Sequence, residues 1–400
     1  MPASERHGLP ILFVSLVCIG IGQSMLFAVL PPAARELGVS PVRIATIFAT
    51  SASIWVVASP WWGRRSDRFG RRPVMLIGLL GYASSMALMA TSIRAGVSGV
   101  LPALAIYPAL VASRCVFALL GSGTGPAAQA YIADRTSAAE RPSGMAVLGA
   151  ATGVGETLGP ALGAALTVWG LTAPLYCAAV LAVASAMLIW RLLPEARPPT
   201  PVAPPSRASH WRFDRRLLPF LALATALQAT RATTVITLAL FLQDLLGLTA
   251  AEAARQAGRE FVVLAGAGLV AQLVIVQRLQ PSVRTMIMVG APLTTVAFAV
   301  LTTAHDLAGC ALALALLGLG LGLVRPGATA GASLSAAAHE QGTVAGVLGG
   351  LSVIGNVVGP VIGTSLYELR PIAPYVLNTL VMAAASVYAL SHPQVRGLKR

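Results

Sequence analysis

A short polar stretch from Gly63 to Pro73 separates two long apolar runs, and this arrangement limits what the chain can fold into. The runs, about residues 42–62 and 74–95, are each long enough to cross a bilayer as a helix. A loop this short between two such runs must turn the chain back at one membrane face. The segment is therefore predicted to be two membrane-spanning helices joined at the membrane surface.

The composition extends this prediction to the whole chain. Of the 400 residues, 56% are hydrophobic and only 10% are charged, and the mean hydropathy is +0.77. A soluble protein carries roughly 25% charged residues, so most of this chain must face lipid or other apolar helices. No metal site is expected, because the cysteines lie inside apolar runs without metal-ligand spacing: Cys18, Cys115, Cys177 and Cys310.

The basic residues fall unevenly on the two sides of the predicted helices. The chain has 28 Lys and Arg residues and a net charge of +14, which could suggest a nucleic-acid binder. With an even number of spans, however, most of them fall in loops on one side, and only Arg114, Arg231 and Arg325 fall inside spans. This is the positive-inside bias, so both termini are predicted to be cytoplasmic. No nucleic-acid partner is expected.

The polar stretch also contains an ordered pattern. Gly63 and Gly70 allow backbone angles that other residues resist, and charged residues hold fixed positions beside them: Asp67, Arg68 and Arg71. A basic loop that only fixes topology would need neither the aspartate nor the spaced glycines. The stretch resembles the G-x-x-x-D-R-x-G-R-R/K-P loop between helices 2 and 3 of the major facilitator superfamily, and every position of that pattern is filled.

This resemblance implies a fold and a role for the loop. The fold would be an all-α membrane protein of 12 transmembrane helices in two pseudo-symmetric six-helix halves. In the family, the aspartate contacts the N-terminal end of helix 11, where unpaired N–H groups favour a carboxylate. The arginine after the second glycine joins an acid at the end of helix 4. Carried over, these roles fall on Asp67, Arg71 and Asp134, which would form a latch on the cytoplasmic side.

The predicted fifth span carries glycines at every fourth position. Gly155, Gly159 and Gly163 form one smooth stripe against which another helix can pack closely, and Pro160 follows the second of them. The pattern resembles the antiporter motif of the family's 12-helix drug and proton exchangers, although Ala146 stands where that motif has a first, more distant glycine. Because the motif is commoner in exporters than in uptake symporters, the resemblance implies export.

The second half of the chain repeats the first at an offset of 200 residues. The repeat includes the whole glycine and proline pattern: Gly355, Gly359, Pro360 and Gly363. The predicted division is residues 1–193 for the N-terminal half, 194–216 for a flexible cytoplasmic linker, and 217–400 for the C-terminal half. Glu156 is replaced in the copy by Asn356, so the repeat keeps the scaffold and changes the polar group.

The candidate cavity residues are polar side chains predicted to lie within spans: Gln23, Arg114, Glu156, Gln228, Arg231, Arg325 and Asn356. Glu156 is predicted to be the only acid near the middle of a span, because Glu260 is placed at the outer end of a helix that begins near Gly258. A carboxylate at that depth can bind and release a proton, and Arg114 is predicted to assist it. The alternative is that Glu156 only neutralises a neighbouring arginine.

Together these features predict a proton-coupled secondary exporter that works by alternating access. One carboxylate cannot pair with three buried arginines, so the predicted substrate is an anionic or carboxylate-bearing compound such as a siderophore. The alternative is that backbone carbonyls and water satisfy the arginines. The expected energy source is the proton gradient, without a cofactor. The expected partners are the substrate, protons and the lipid of a bacterial inner membrane, in which the protein is a monomer.

Other functions are left as alternatives. Multidrug export of lipophilic or cationic drugs and proton-coupled import both fit the same fold. A membrane-embedded enzyme would need a His, Asp or Cys constellation at one membrane face, but the histidines all lie in loops or tails: His7, His210, His305, His339 and His392. A channel or receptor does not explain the repeat or the latch loop. The sequence has no nucleotide-binding loop, so direct use of ATP is not expected.

Overall fold

The computed structural model describes residues 8–136, 141–195, 215–336 and 341–397. Within these ranges every regular element is a helix, which confirms the predicted all-α class. The chain divides into two compact units. Unit 1 comprises Met1–Pro205 and Thr249–Gly258, and unit 2 comprises Ser206–Leu248 and Arg259–Arg400.

Unit 1 is built mainly from the helices of the first half of the chain: α1 (Gly8–Glu36), α2 (Pro41–Phe69), α3 (Arg71–Val97), α4 (Ala103–Val116), α5 (Thr124–Arg135), α6 (Arg141–Leu166) and α7 (Ala173–Leu192). Its core lies where α1, α3, α5 and α7 meet, and its largest buried side chains include Leu12, Met75, Tyr131 and Ile189. These side chains are closely packed against one another, and this packing stabilises unit 1.

The described residues of the second half form eight α-helices: α8 (Leu218–Leu246), α9 (Ala250–Val270), α10 (Gln277–Leu279), α11 (Val283–Thr302), α12 (Leu307–Leu334), α13 (Gln341–Leu369), α14 (Ala373–Ser391) and α15 (Pro393–Arg396). The first turns of α9 lie in the segment that groups with unit 1.

Most of the long helices could cross a bilayer. In the described part of the chain, ten helical segments are long and apolar enough to do so by length and composition. The long helices α6 and α13 come in addition to these ten. The arrangement is consistent with the predicted twelve spans.

Local sequence signals set the helix ends. The Ser40 side chain accepts a hydrogen bond from the Arg43 N–H at 3.4 Å at the start of α2, a typical N-cap. Asp306 likewise accepts from the Gly309 N–H at 2.8 Å and starts α12. Between α2 and α3, Gly70 has φ +96°, a backbone conformation that side-chained residues rarely adopt. The chain therefore turns sharply there.

Two spans contain π-helical turns that the sequence did not reveal. Phe117–Gly121 forms such a turn between α4 and α5, and Ala271–Val276 forms another between α9 and α10. A π-helical turn accommodates an extra residue and is frequent at functional sites. The first of these turns lies directly after the helix that carries Arg114.

The eighth span begins earlier than predicted. Its helix starts at Ala250 and not near Gly258. The Thr249 N–H and hydroxyl both donate to Glu252 Oε2, at 3.0 and 2.9 Å, and this reciprocal capping begins the helix. The charged residues of its first turns resemble a loop in sequence, so Glu260 lies further inside a helix than the sequence predicts.

Candidate functional site

Arg71, the first residue of α3, lies at the centre of a charge cluster in unit 1. Its side chain is buried, with 5% exposure. Its Nε donates to Asp134 Oδ2 at 2.9 Å, and its Nη1 donates to Ser66 Oγ at 2.7 Å and to Asp67. The family pattern had placed these charged residues together, and the structure brings Asp67, Arg71 and Asp134 into one cluster. The latch role itself stays a prediction.

Two other residues of the pattern do not join the cluster. No described atom lies within 4 Å of a Cβ added at Gly63, and Arg68 is exposed. Gly70, in contrast, is held closely, because a Cβ added there would lie 2.7 Å from Glu195 Oε1. Of these two glycines, only Gly70 is therefore at a position where packing disfavours a side chain in this structure.

Glu195 is a member of this site that sequence reasoning missed. Its Oε1 accepts hydrogen bonds from the Arg71 N–H at 2.9 Å and the Arg72 N–H at 3.3 Å, so it caps the N-terminus of α3. Its backbone carbonyl accepts from Arg135 Nη2 at 3.0 Å. The sequence had placed Glu195 in a flexible linker. The only sequence signal for the role of Glu195 was its position as a single acidic residue after α7.

Arg114 is buried in unit 1 among aromatic rings. It is 6% exposed, and its guanidinium carbon lies 5.4 Å from the centre of the Phe48 ring and 4.9 Å from that of Phe117. These are cation–π distances. Nε and Nη1 have no hydrogen-bond partner among the described residues, and the same holds for the hydroxyl of Tyr82, whose ring packs against Phe117. The pocket thus holds a buried cation with unused donors.

Glu156 lies on α6, with an exposed side chain. Within the described residues, no hydrogen bond or ion pair joins it to Arg114 or to another group. The prediction that Arg114 acts directly on Glu156 is therefore not supported by contact, and the alternative that Glu156 neutralises an arginine is not supported either.

The equivalent position in unit 2 is occupied by a paired group. Gln228 Nε2 donates to Asn356 Oδ1 at 2.7 Å, which joins α8 to α13. A Cβ added at Gly355 would lie 3.1 Å from the Gln228 Cβ, whereas one added at Gly155 would lie 2.8 Å from the Gly20 Cα. Gly20 of α1 thus occupies the position that Gln228 occupies in α8. Glu156 therefore has no partner equivalent to Gln228.

The glycine stripes hold these helix pairs close. In unit 1, Ser24 Oγ donates to the Gly155 carbonyl at 3.3 Å, and a Cβ at Gly163 would meet Met25 at 3.2 Å. In unit 2, Thr233 Oγ1 donates to the Gly359 carbonyl at 2.8 Å. Such close approach is what small residues allow between membrane helices. The prolines of both patterns, Pro160 and Pro360, are buried in the same helices.

The remaining predicted cavity residues are less enclosed. Gln23 and Arg231 are half-buried, and Arg325 is exposed. Of the three arginines predicted inside spans, Arg114 is the one that the structure buries fully. Glu260 corrects an expectation: it is 5% exposed and lies within α9, so Glu156 is not the only acid inside a span.

Comparison with known proteins identifies the family. The sequence profile of the Major Facilitator Superfamily matches residues 12–360. Multidrug resistance protein 1 of Bacillus subtilis (strain 168) is 28% identical over 385 residues, which cover 94% of this chain and 93% of that protein. The class C tetracycline resistance protein of Escherichia coli is 36% identical over 220 residues, which cover 53% of this chain and 52% of that protein.

The fold is shared with a solved transporter. The crystal structure of the human organic anion transporter MFSD10 (TETRAN) matches with a TM-score of 0.64 at 21% identity, and the match covers 97% of this chain and 100% of that one. At this identity the likeness shows the fold alone. With the family profile over most of the chain and the apolar helices described above, the chain belongs to the Major Facilitator Superfamily and is a membrane-spanning transport protein.

Proposed function

We propose that this transporter exports a small organic anion in exchange for protons. The observation that carries the proposal is the buried Arg114, whose Nε and Nη1 have no acceptor among the described residues. A carboxylate-bearing substrate would supply an acceptor oxygen to one of these donors through a charge-assisted hydrogen bond.

The aromatic surroundings support this assignment. A guanidinium inside a membrane protein is costly unless it is paired or solvated. The rings of Phe48 and Phe117 offset part of that cost through cation–π attraction, typically about 0.5–2 kcal/mol. Nε and Nη1 of Arg114 stay without a hydrogen-bond partner among the described residues. The pocket would therefore gain most from a ligand with an anionic group and an apolar body.

Glu156 is the proposed proton carrier in unit 1. Its carboxylate is exposed and not paired with any described residue, so no described cation competes with a proton for it. In the proposed cycle, Glu156 takes up a proton when the site faces outward, which weakens substrate binding. It loses that proton when the site faces inward, and the site is reset for the next substrate.

Multidrug export is the second candidate function. The matches to a multidrug resistance protein and a tetracycline resistance protein favour it. The ring cluster of Trp55, Tyr82 and Phe117 would also suit apolar drugs. For either function, the bias of basic residues supports a bacterial cytoplasmic membrane with both termini inside. The protein is proposed to act as a monomer.

Proton release from the purified protein in detergent tests the proposal. Benzoate serves as the anionic probe and tetraphenylphosphonium as the cationic one. We expect benzoate to release protons from the unaltered chain and fewer protons from Glu156→Gln. Release by tetraphenylphosphonium alone would favour multidrug export, and unchanged release from Glu156→Gln would move the proton site elsewhere.

Arg114→Gln tests the anion site. Loss of one partner of a desolvated charge pair costs about 2 kcal/mol or more, so benzoate binding should weaken by about 30-fold or more. The matched control is Arg94→Gln, which removes an exposed arginine at the end of α3 and should leave binding unchanged. Equal binding in both variants would contradict the role of Arg114.

A further inference from the structure

Glu260 is a buried acid in unit 2 that the proposed cycle does not use. It is the eleventh residue of α9, about 15 Å along the helix from Ala250 at 1.5 Å per residue. The side chain is 5% exposed. Its Oε2 is enclosed and has no hydrogen-bond partner within the described ranges. Acids inside spans are rare and usually functional.

Within the described ranges, Glu260 forms no ion pair. On α12, the fully buried Cys310 is close enough for the Glu260 charge to act on its thiol. Asp306, at the start of α12, acts on the same thiol and is itself acidic. On α9, the preceding Arg259 is exposed, and the residue one turn earlier is the uncharged Gln256.

This environment favours the neutral carboxylic acid. An ionised carboxylate that is buried without a cation or hydrogen-bond donors loses its hydration without compensation. Neither the Cys310 thiol nor the Asp306 carboxyl group can carry a positive charge, so neither replaces that hydration. A proton bound to the carboxylate removes the charge and most of the cost.

The packing of α9 on α12 keeps the acid in this environment. A Cβ added at Gly322 would lie 2.6 Å from the Ala271 Cβ, and one at Gly318 would lie 2.9 Å from the Ala267 Cβ. These contacts fall about two and three turns after Glu260, and Ala271 lies at the start of the π-helical turn that follows α9. A movement of α9 relative to α12 would change the exposure of Glu260, and with it the free energy of holding its proton.

We propose that Glu260 is a second proton-binding site of the transport cycle, protonated in the conformation described here and deprotonated when α9 shifts. The proposal rests on proton-coupled export as proposed above and extends it to unit 2. The cycle would then exchange one substrate for two protons, one bound at Glu156 and the other at Glu260. Both protons bind reversibly to carboxylate oxygens, and no covalent step is involved.

Infrared difference spectroscopy of the purified full-length chain tests the site without a substrate. The carbonyl band of a protonated carboxylic acid, which shifts in heavy water, should be present near neutral pH. Glu260→Gln should abolish that band, and Glu260→Asp, which keeps an acid, should retain a band. The control Glu368→Gln removes an exposed acid of the same unit and should leave the band unchanged. A band that persists in Glu260→Gln overturns the proposal.

Proton release by benzoate tests the role in the cycle. Glu260→Gln should release about half as many protons as the unaltered chain if the two carboxylates each carry one. Full release from Glu260→Gln overturns the second site and leaves the exporter proposal standing. Failure of the exporter proposal looks different: benzoate then releases no protons from the unaltered chain, while a carbonyl band that depends on Glu260 still supports a proton at that residue.

Discussion

Replacing Asp134 by asparagine tests how far the buried Arg71 depends on one carboxylate. The Arg71 side chain is 6% exposed and that of Asp134 is 17% exposed, and Nε and Oδ2 are 2.9 Å apart. Loss of one partner of a buried ion pair costs about 3–5 kcal/mol, and because Asp67 remains we expect about 3 kcal/mol. At about 2–4 °C per kcal/mol for a unit of this size, the unfolding midpoint should fall by about 6–12 °C.

The assay is thermal unfolding of the purified chain in detergent, followed by tryptophan fluorescence. Asp67→Asn is the matched control, because the Asp67 side chain is 57% exposed and an exposed pair contributes about 0–1 kcal/mol. Removing both charges, in Arg71→Gln with Asp134→Asn, should give a more stable protein than Asp134→Asn alone. Equal shifts for the two aspartate variants would refute the reasoning.

Three further changes test other contacts by the same unfolding assay. Glu195→Ala removes the cap of α3 and should cost about 1 kcal/mol; an unchanged midpoint would contradict the capping role. Gly159→Ala places a Cβ 2.5 Å from the Ile21 carbonyl oxygen and should cost about 1–3 kcal/mol, whereas Gly149→Ala, with nothing within 4 Å, should cost nothing. Gln228→Ala breaks the bond to Asn356 and should cost about 0.5–1.5 kcal/mol; a zero coupling energy in a double-mutant cycle with Asn356→Ala would contradict that bond.

Some features follow from the sequence because their causes are local. The stripe of Gly155, Gly159 and Gly163 lies on one helix face by spacing alone, and close packing against α1 follows from the missing side chains. Asp67 and Arg71 are four residues apart across a tight glycine turn, so their contact is also local. The all-helical fold follows from the long apolar runs.

Other features depend on contacts between distant parts of the chain. Glu195 meets the Arg71 N–H across 124 positions, and composition assigned its segment to a linker. Glu260 was misplaced because a helix that starts with polar residues looks like a loop unless the pair Thr249 and Glu252 is read as a cap. The lack of described hydrogen-bond acceptors for Arg114 Nε and Nη1 likewise depends on the aromatic rings that surround this residue in the structure.

The π-helical turn at Phe117–Gly121 has a consequence for how Arg114 can be altered. Each residue of an α-helix advances the chain by about 100° around the axis. Because the π turn absorbs one extra residue, deleting one of its five residues would give a regular α-helix and leave α4 and α5 in nearly their present relative orientation. Inserting a further residue there has no such compensation and would rotate Arg114 by about 100° relative to α5. This span can therefore lose one residue at the turn, but not gain one, without redirecting the guanidinium.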